Sequence, residues 1–282
     1  MILEFKHVTG KTKHFNLKDV SFALESGYIM GLAGKNGAGK STLIDYIMNP
    51  KQQYDGEILV DGINIRENHY DILNHIGFIS DNNTGFLMEL TARENIELFG
   101  PLYKNWNDVD FYSAMQKMGL AAGKVVGRMS RGELFKFQTA FAMGYKPVLY
   151  LIDEATAGMD PVFRIDYFKI LQEIIAEENA SILMTSHIQD EIQRKMDFVG
   201  IMEEGMLAQF GETLDVFVER SSHESTDRQT QIPSRHPPPA GGDLPLRLHR
   251  RRVLPDRIRR PYRPEGMAAP ACRGCDAHRL PH

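Results

Sequence analysis

The residues with the clearest chemistry form a glycine-rich segment near the N-terminus. Residues 34–41, Gly-Lys-Asn-Gly-Ala-Gly-Lys-Ser, match the pattern G-x-x-x-x-G-K-[ST] and lie between a predicted strand, Tyr28–Leu32, and a predicted helix, Ser41–Met48. In such a loop, glycines let backbone N–H groups turn towards phosphates, and the helix N-terminus adds partial positive charge. The lysine supplies a point charge, and the serine hydroxyl can bind Mg²⁺. The segment predicts a site for Mg-ATP formed by Gly34, Asn36, Gly37, Ala38, Gly39, Lys40, Ser41 and Thr42.

A pair of acidic residues follows a second apolar strand. Val148–Ile152 is a run of apolar residues, and Asp153 and Glu154 come directly after it. At the end of a strand, Asp153 can hold Mg²⁺ directly or through water, and Glu154 can polarise the attacking water as a general base. Taken alone, an acidic pair after a strand is usually a solvated turn. Its place in an α/β chain with a phosphate loop favours a hydrolytic site.

A histidine stands at the end of a third predicted strand. His187 follows Ser181–Thr185 and Ser186. Ligands bind at the carboxyl edge of a parallel sheet, where this histidine would contact the γ-phosphate or orient Glu154. A lone histidine at a strand end is more often structural, so the assignment depends on the neighbouring motifs. We expect Glu154 and His187 to be the catalytic residues.

The elements that must position these residues alternate along the chain. The first 80 residues contain short apolar or alternating runs that predict strands, at Ile2–Phe5, Val20–Leu24, Tyr28–Leu32, Glu57–Val60 and Ile76–Ile79. Helical spacing then appears at Thr91–Phe99, Asp108–Met118 and Glu133–Met143. Strands return at Val148–Ile152 and Ser181–Thr185, with a helix at Arg164–Glu178 between them. This order predicts an α/β core with a largely parallel sheet, a β-rich N-terminal part and an inserted helical subdomain.

Composition and charge exclude several classes of protein. Hydrophobic residues make up 42% of the 282 residues, which is enough for a sizeable core. No run of 18 or more apolar residues predicts a membrane helix. Acidic residues outnumber basic ones over residues 1–220, which argues against a nucleic-acid binder. The N-terminus lacks a signal-peptide pattern and both cysteines lie beyond residue 270, so a cytoplasmic location is expected.

The C-terminal segment differs in kind from the rest of the chain. Residues 221–282 contain ten of the fourteen prolines, twelve arginines and no lysine. Such a segment cannot offset its ordering entropy by burial, so disorder is predicted. Out-of-frame translation is an alternative hypothesis, because the composition switches abruptly near Arg220. The predicted division is one domain over 1–219, with its helical insert at about 82–143, and a disordered or out-of-frame tail over 220–282.

Taken in order, these motifs resemble the nucleotide-binding subunit of an ABC transporter over residues 1 to about 218. Lys40 and Ser41 match the Walker A positions of that family, and Asp153 matches the Walker B aspartate. Glu154 matches the catalytic glutamate and His187 the switch histidine. The resemblance therefore implies the P-loop fold of the ABC-type nucleotide-binding domain.

The resemblance extends to two further motifs. Asp160 matches the aspartate of the D-loop. Residues 129–133, Met-Ser-Arg-Gly-Glu, stand where the family usually has the signature Leu-Ser-Gly-Gly-Gln. In the family, the equivalents of Ser130 and Gly132, with the following helix N-terminus, close on ATP held by a second subunit in a head-to-tail dimer. Arg131 and Glu133 depart from the pattern, and Glu133 is expected to add repulsion near a γ-phosphate.

Two more positions are implied by the family pattern. Asp81 lies at or near the glutamine that normally ends the strand entering the insert, and its carboxylate can still bind Mg²⁺ or a water on it. Which of Ser80, Asp81 and Asn82 acts there stays open. Phe15 is the expected aromatic stack for the adenine, with His14 as the next candidate.

The resemblance implies an ATPase subunit that powers a separately encoded membrane permease, in the style of bacterial bacitracin, drug or lantibiotic exporters. The implied cofactors are ATP and Mg²⁺, and the implied partners are the permease and a second ATP-binding subunit, with no nucleic acid. The implied location is the inner face of the cell membrane. One alternative is a non-transport ABC-type ATPase acting on the ribosome or nucleic acid. A small-molecule kinase is another, but it would not explain Ser130, Gly132 or His187.

Overall fold

The computed structural model describes most of the first 218 residues. The described ranges are 1–11, 15–49, 51–81, 85–153, 159–178, 180–186 and 188–218. Two predicted catalytic residues, Glu154 and His187, lie outside them, as do His14 and Asn82. The segment 220–282 also lies outside, so the predicted division at residue 219 stays a prediction.

The N-terminal part forms an antiparallel sheet. Its strands are β1 (Leu3–Lys11), β2 (Asn16–Leu24), β4 (Tyr54–Val60) and β5 (Ile63–Asn64), in the spatial order β2-β1-β4-β5. Alternate residues of these strands are buried, as expected for a sheet with one face on the core. Phe5 and Phe22 lie opposite each other on β1 and β2, and their rings stack with centroids 4.8 Å apart.

A second, six-stranded sheet carries the ends of the predicted site strands. Its strands are β3 (Ile29–Ala33), β6 (Ile76–Ser80), β7 (Leu149–Asp153), β8 (Ser181–Thr185), β9 (Phe198–Glu203) and β10 (Met206–Glu212), in the order β10-β9-β3-β8-β7-β6. β10 pairs antiparallel with β9, and the other neighbours are parallel. The expected largely parallel sheet is confirmed.

The parallel sheet is buried on both faces, which explains why its strands are apolar throughout. Helix α1 (Lys40–Met48) packs with Leu149 and Leu151 of β7 in one core cluster. Tyr150 and Ile152, the alternate residues of the same strand, belong to the other cluster. The carboxyl ends of β3, β7 and β8 therefore open at one sheet edge between two packed layers.

Three helices form the insert between β6 and β7. They are α3 (Ala92–Phe99), α4 (Asp108–Lys117) and α5 (Arg131–Met143). A capping box begins α3: the Thr91 hydroxyl accepts from the Glu94 N–H, and the Glu94 carboxylate accepts from the Thr91 N–H at 2.7 Å. Helix α5 begins two residues before the predicted start, because Ser130 caps it.

The remaining helices connect the strands of the core. They are α2 (His69–Ile72), α6 (Pro161–Glu178) and α7 (Gln189–Lys195). Helix α6 begins three residues before the predicted Arg164, because the Asp160 carboxylate accepts from the Val162 N–H at 2.7 Å and Pro161 suits the first helical position. Among the described residues, no helix has the length and apolar character that crossing a bilayer requires.

Candidate functional site

The lysine of the phosphate loop is the first residue of α1, and its ammonium turns back into the loop. Lys40 Nζ donates to the carbonyl oxygen of Gly34 at 2.9 Å and to that of Lys35 at 3.1 Å. Only 4% of the side chain is exposed. A buried ammonium needs hydrogen-bond partners, and these carbonyls supply them. The predicted phosphate-binding cation is therefore held inside the loop, at the positive end of α1.

Phe15 lies against the same loop, as its predicted role requires. Gly39 precedes α1 with φ of 108°, and a Cβ there would lie 2.5 Å from the Phe15 ring. Only glycine suits both that backbone conformation and that close approach. The Gly205 N–H donates to the Ala38 carbonyl at 3.1 Å, so the turn between β9 and β10 supports the loop from the other side.

Asp153 connects the phosphate loop to the sheet edge. Its Oδ1 accepts from the Ser41 hydroxyl at 3.1 Å and from the Thr185 hydroxyl at 2.7 Å. The structure therefore brings together Ser41 and Asp153, the two predicted metal ligands, although 112 positions separate them. Thr185 was not predicted as a site residue, and it is fully buried at the end of β8. Its hydroxyl fixes the orientation of the carboxylate.

The two predicted catalytic residues follow neighbouring strand ends in sequence. Glu154 comes directly after Asp153 of β7, and His187 comes two residues after Thr185 of β8. β7 and β8 are adjacent and parallel. Both residues lie outside the described part of the chain, so their roles stay predictions.

The signature segment is a complete capping box at the start of α5. The Ser130 hydroxyl accepts from the Glu133 N–H at 3.3 Å, and the Glu133 carboxylate accepts from the Ser130 N–H at 2.8 Å. Lys124 Nζ lies 2.7 and 2.8 Å from the two carboxylate oxygens of Glu133. The Lys124 ammonium and then the Ser130 N–H lower the pKa of Glu133 from 4.5 to about 2. The negative charge expected to repel phosphate is thus paired with a lysine.

The contacts of Glu133 with Lys124 and Ser130 predict that the contribution of Glu133 to stability depends on pH. The pKa of Glu133 is lower in the folded chain than in the unfolded chain, so its contribution is full above about pH 4.5 and is lost as pH falls towards about 2. We expect the difference in unfolding free energy between the wild type and Glu133→Gln to shrink over that range, measured by urea unfolding. Glu94→Gln, in the equivalent box capped by Thr91, is the matched control, because the Thr91 N–H and hydroxyl, rather than a lysine, lower the pKa of that carboxylate. A constant difference between wild type and Glu133→Gln would contradict the assignment.

Gly132 packs against the first turn of α6, which Asp160 caps. A Cβ on Gly132 would lie 2.8 Å from the ring of Phe163. Phe163 donates its N–H to the Asp160 carboxylate at 3.3 Å. Any larger residue at position 132 would push α5 away from α6. Gly132 is therefore positioned by packing between the two helices, and Asp160 by its hydrogen bonds to the first turn of α6.

Asp81, which precedes the insert, pairs with Arg131 at the start of α5. Arg131 Nη2 lies 3.1 Å from Asp81 Oδ2, and both side chains are 37% exposed. At the residue before Asp81, the Ser80 N–H donates to the side-chain oxygen of Gln138 at 2.9 Å. The Gln138 amide nitrogen donates to the Ser80 carbonyl at 3.0 Å. Sequence reasoning missed Gln138, whose partner lies 58 positions away, and Lys124, which lies nine positions before Glu133 and outside the signature segment.

With this geometry established, comparison with known proteins identifies the family. A family model described as ABC transporter matches residues 17–157, half of the chain. This chain belongs to the ABC transporter family. The matched range contains the phosphate loop, the insert and Asp153.

Individual relatives support the assignment to the ABC family. Methionine import ATP-binding protein MetN 1 of Pseudomonas fluorescens is 31% identical over 246 residues, which cover 82% of this chain and 72% of that protein. Bacitracin transport ATP-binding protein BcrA of Bacillus licheniformis is 34% identical over 190 residues, which cover 65% of this chain and 60% of that protein. The structure of cbiO1 from Clostridium perfringens, described as part of the ABC transporter complex cbiONQ, has a TM-score of 0.67 at 23% identity and covers 81% of this chain and 95% of that one.

These comparisons confirm the predicted fold class, an ABC-type α/β nucleotide-binding domain. They confirm the prediction of an ATP-binding subunit of an ABC transporter, which is an ATPase. They favour this function over an ABC-type ATPase acting on the ribosome or nucleic acid. The described residues include the positions predicted for the Walker A loop, the Walker B aspartate, the signature and the D-loop aspartate, and their roles stay predictions.

Proposed function

We propose that this ABC subunit binds Mg-ATP at Gly34–Thr42 and hydrolyses it in a head-to-tail dimer that powers a separately encoded membrane permease. The contact between Ser41 and Asp153 is the observation that carries the proposal. It joins the phosphate loop to the Walker B strand at the carboxyl edge of the sheet, where nucleotide ligands bind. Ser130 is at the N-terminus of a different helix, in the insert, and can therefore serve the nucleotide of a second subunit.

The donor atoms at this edge fit Mg²⁺. The Ser41 hydroxyl and the Asp153 carboxylate are hard oxygen ligands, and Mg²⁺ is usually held by one or two carboxylates together with phosphates and water. When bound, Mg²⁺ neutralises charge that develops on the phosphates. Thr185 would keep Asp153 oriented, and Asp81 is proposed as a further ligand to the metal or to a water on it.

The remaining roles follow from position. Glu154 is proposed as the general base for the attacking water and His187 as the group that contacts the γ-phosphate or orients Glu154. Phe15 packs on Gly39, which supports its proposed stacking on the adenine base. Asp160 holds the start of α6 at the subunit surface where Gly132 packs.

The signature is equipped to bind phosphate despite its unusual sequence. The Ser130 hydroxyl oxygen accepts from the Glu133 N–H, and the hydroxyl hydrogen bonds to the Glu133 carboxylate, so it would have to turn from that carboxylate to donate to a phosphate. Lys124 balances the Glu133 charge, which lowers the repulsion expected there. The N-terminus of α5 adds partial positive charge.

We propose export as the transport direction and the inner face of the cell membrane as the location. BcrA, named for bacitracin transport, has a higher identity to this chain than MetN 1, named for methionine import. In inside-out vesicles that contain the chain and its permease, ATP added outside should drive substrate into the lumen. ATP-driven loss of preloaded substrate would instead indicate import.

Dimer formation by Glu154→Gln is the experiment that tests the proposed function. This variant keeps the site geometry but lacks the base, so the ATP-bound dimer should accumulate. We expect size-exclusion chromatography with light scattering to show a monomer without nucleotide and a dimer with Mg-ATP. Glu204→Gln, an exposed glutamate beside the phosphate loop, is the charge-matched control and should not accumulate a dimer.

The two parts of the proposal separate in this experiment. A Glu154→Gln chain that binds Mg-ATP but stays monomeric would contradict the head-to-tail homodimer and leave nucleotide binding intact. A chain that does not bind Mg-ATP at all would contradict the site itself.

A further inference from the structure

A cleft on the antiparallel sheet concentrates positive charge in a domain that is otherwise acidic. The cleft has a volume of about 730 Å³ and lies where the end of β1 and the starts of β2 and β4 meet. Its charged lining residues are three cations and one acid, Lys11, Lys18, Arg66 and Asp55. Acidic residues outnumber basic ones over residues 1–220, so this local excess of positive charge is a distinct feature of the surface.

The cleft is separate from the proposed nucleotide site. Gln52 and Gln53 line it beyond the C-terminal end of α1, whereas the phosphate loop precedes the N-terminal end of that helix. The nine residues of α1 span about 13 Å at 1.5 Å per residue. The described residues that line the cleft include neither Phe15 nor any of residues 34–42. An anion in the cleft would therefore bind without occupying the phosphate loop.

Two lysines supply cations that no carboxylate neutralises within the described part of the chain. Lys11 of β1 is paired with Asn16 of β2, and Lys18 stands two positions further along β2, on the same side of that strand as Asn16. Both lysines are exposed, and neither ammonium is in an ion pair with a described carboxylate. Their charges are therefore available to an anion in the cleft.

Arg66 is held in place at the edge of β4. Its guanidinium lies over the Tyr54 ring, 3.7 Å from the centroid, and donates to the carbonyl oxygens of Tyr54 and Gly56. A guanidinium has five N–H donors, so others remain for a ligand. A planar fork of donors that is already fixed in position binds phosphate with two parallel hydrogen bonds and loses little entropy.

Two tyrosine hydroxyls beside the cleft have no hydrogen-bond partner among the described residues. Tyr54, 8% exposed, lines the cleft, and the ring of Tyr46, 1% exposed, meets it edge-on with centroids 5.6 Å apart. A Cβ on Gly10, another lining residue, would lie 2.1 Å from the Tyr46 hydroxyl. Burial raises the pKa of both hydroxyls from the usual 10, so both stay protonated and can donate. An acceptor that reaches them from the cleft would offset the cost of burying them unpaired.

Irregular strand pairing shapes the cleft. The pairing of β1 with β2 shifts between Val8 and Gly10, and the pairing of β1 with β4 shifts between Lys6 and Thr9. Asp19 has φ of 46° and donates its N–H to the Thr9 hydroxyl at 3.0 Å, which fixes the irregular backbone. Bulges bend a strand and re-aim its side chains, and they are frequent next to functional sites.

We propose that this cleft is a second binding site of the chain, for a small anion that carries one or two phosphate groups. Three cations suit a ligand of that size, whereas a nucleic-acid backbone is held by more contacts. The volume is in the range of small-molecule sites, about 300–1,000 Å³. Asp55 beside the cations favours a ligand that also carries hydrogen-bond donors. A free phosphate ester and the headgroup of an anionic lipid share this chemistry.

The inference goes beyond the proposed function, because no step of ATP hydrolysis uses the cleft. Acetylation by an amine-reactive ester, read by mass spectrometry, tests it lysine by lysine on the full chain with saturating Mg-ADP and excess Mg²⁺. We expect inorganic pyrophosphate to slow acetylation of Lys11 and Lys18 about fivefold or more, because a bound anion favours the unreactive ammonium form. Lys51, exposed and directly before the lining residue Gln52, is the internal control and should not change.

Substitutions in the cleft should change pyrophosphate affinity in calorimetric titration of the same Mg-ADP-loaded chain. Lys18→Gln and Arg66→Gln should each weaken binding about tenfold, and Lys51→Gln should leave it unchanged. Arg66→Lys keeps the charge but loses the planar fork, so it should recover only part of the loss. Asp55→Asn should tighten binding about threefold, because it removes a negative charge beside the anion. Thermal melting checks that each variant is folded, and Mg-ATP affinity should stay at the wild-type value in all of them.

Vesicles of phosphatidylglycerol, with phosphatidylcholine vesicles as the control, distinguish the two sources of the ligand. Slower acetylation of Lys11 and Lys18 with pyrophosphate assigns a free anion, and slower acetylation with phosphatidylglycerol alone assigns a lipid headgroup. No change with either, or equal slowing at Lys51, would overturn the proposal. Because the readout does not require ATP hydrolysis, a failed Glu154→Gln dimer would leave the second site standing. Unprotected lysines would leave the proposed function intact.

Discussion

Replacing Lys40 with methionine is expected to weaken Mg-ATP binding by about 100-fold or more and to abolish measurable hydrolysis. The structure places the ammonium inside the phosphate loop, 4% exposed, with two loop carbonyls as its partners. When nucleotide binds, negatively charged phosphate oxygens would replace these carbonyls as the acceptors for Lys40 Nζ. Hydrogen bonds that involve ionised groups are about twice as strong as neutral ones. The loss of that charge removes both affinity and the stabilisation of the transferred phosphate. Calorimetric titration and phosphate release measure the two effects.

Lys35→Met is the control for Lys40→Met. Lys35 belongs to the same loop and carries the same charge, but its side chain is exposed. Lys35→Met should therefore change Mg-ATP affinity by only a few-fold, because exposed charges are screened. Equal losses in both variants would show that the loop acts through its net charge, and the specific role of Lys40 would be wrong.

The phosphate loop and its helix are predictable from sequence because their chemistry is local. The spacing of the glycines, Lys40 and Ser41 fixes a loop that can be built in only one way between a strand and a helix. The capping box of Ser130 with Glu133 is also local, within four residues, although the predicted helix began two residues late, at Glu133. Local hydrogen bonds of this kind leave a direct trace in the sequence.

The contacts that complete the site are not local, and sequence alone does not reveal them. Thr185 meets Asp153 across 32 positions, and Gln138 meets Ser80 across 58. Threonine at a strand end and glutamine inside a helix are ordinary residues in those elements. The pairing of β7 with β8 brings Thr185 to Asp153, and the packing of α5 on β6 brings Gln138 to Ser80.

The ion pair of Lys124 with Glu133 shows how a missing partner misleads. Sequence suggests that Glu133 repels phosphate, because nothing marks Lys124, nine positions earlier, as its neighbour.

The strands β9 and β10 were also not predicted from the sequence. They follow the last predicted strand and escape the sequence reading, although β9 lies beside β3 in the central sheet.

Replacing Asp153 with asparagine is expected to lower ATP hydrolysis by about 100-fold or more, and to shift the Mg²⁺ dependence to higher concentration. The amide oxygen of asparagine can still accept from Ser41 and Thr185, so the site keeps its shape while it loses the negative charge. ATP binding in EDTA should change little. A variant with normal Mg²⁺ dependence would contradict the role of Asp153 as a metal ligand.

Substitutions at Thr185 test the orientation of the Asp153 carboxylate without changing its charge. Thr185→Val has the same shape but removes the 2.7 Å hydrogen bond to the carboxylate, and outer-shell partners of metal ligands are worth about 10–100-fold. We expect about a tenfold loss of hydrolysis with a raised Mg²⁺ requirement for Thr185→Val, and near-normal behaviour for Thr185→Ser, which keeps the hydroxyl. If serine and valine behave alike, position 185 serves only the core. If only valine impairs the metal dependence, the orientation of the Walker B carboxylate is set by a residue that no motif of the sequence marks.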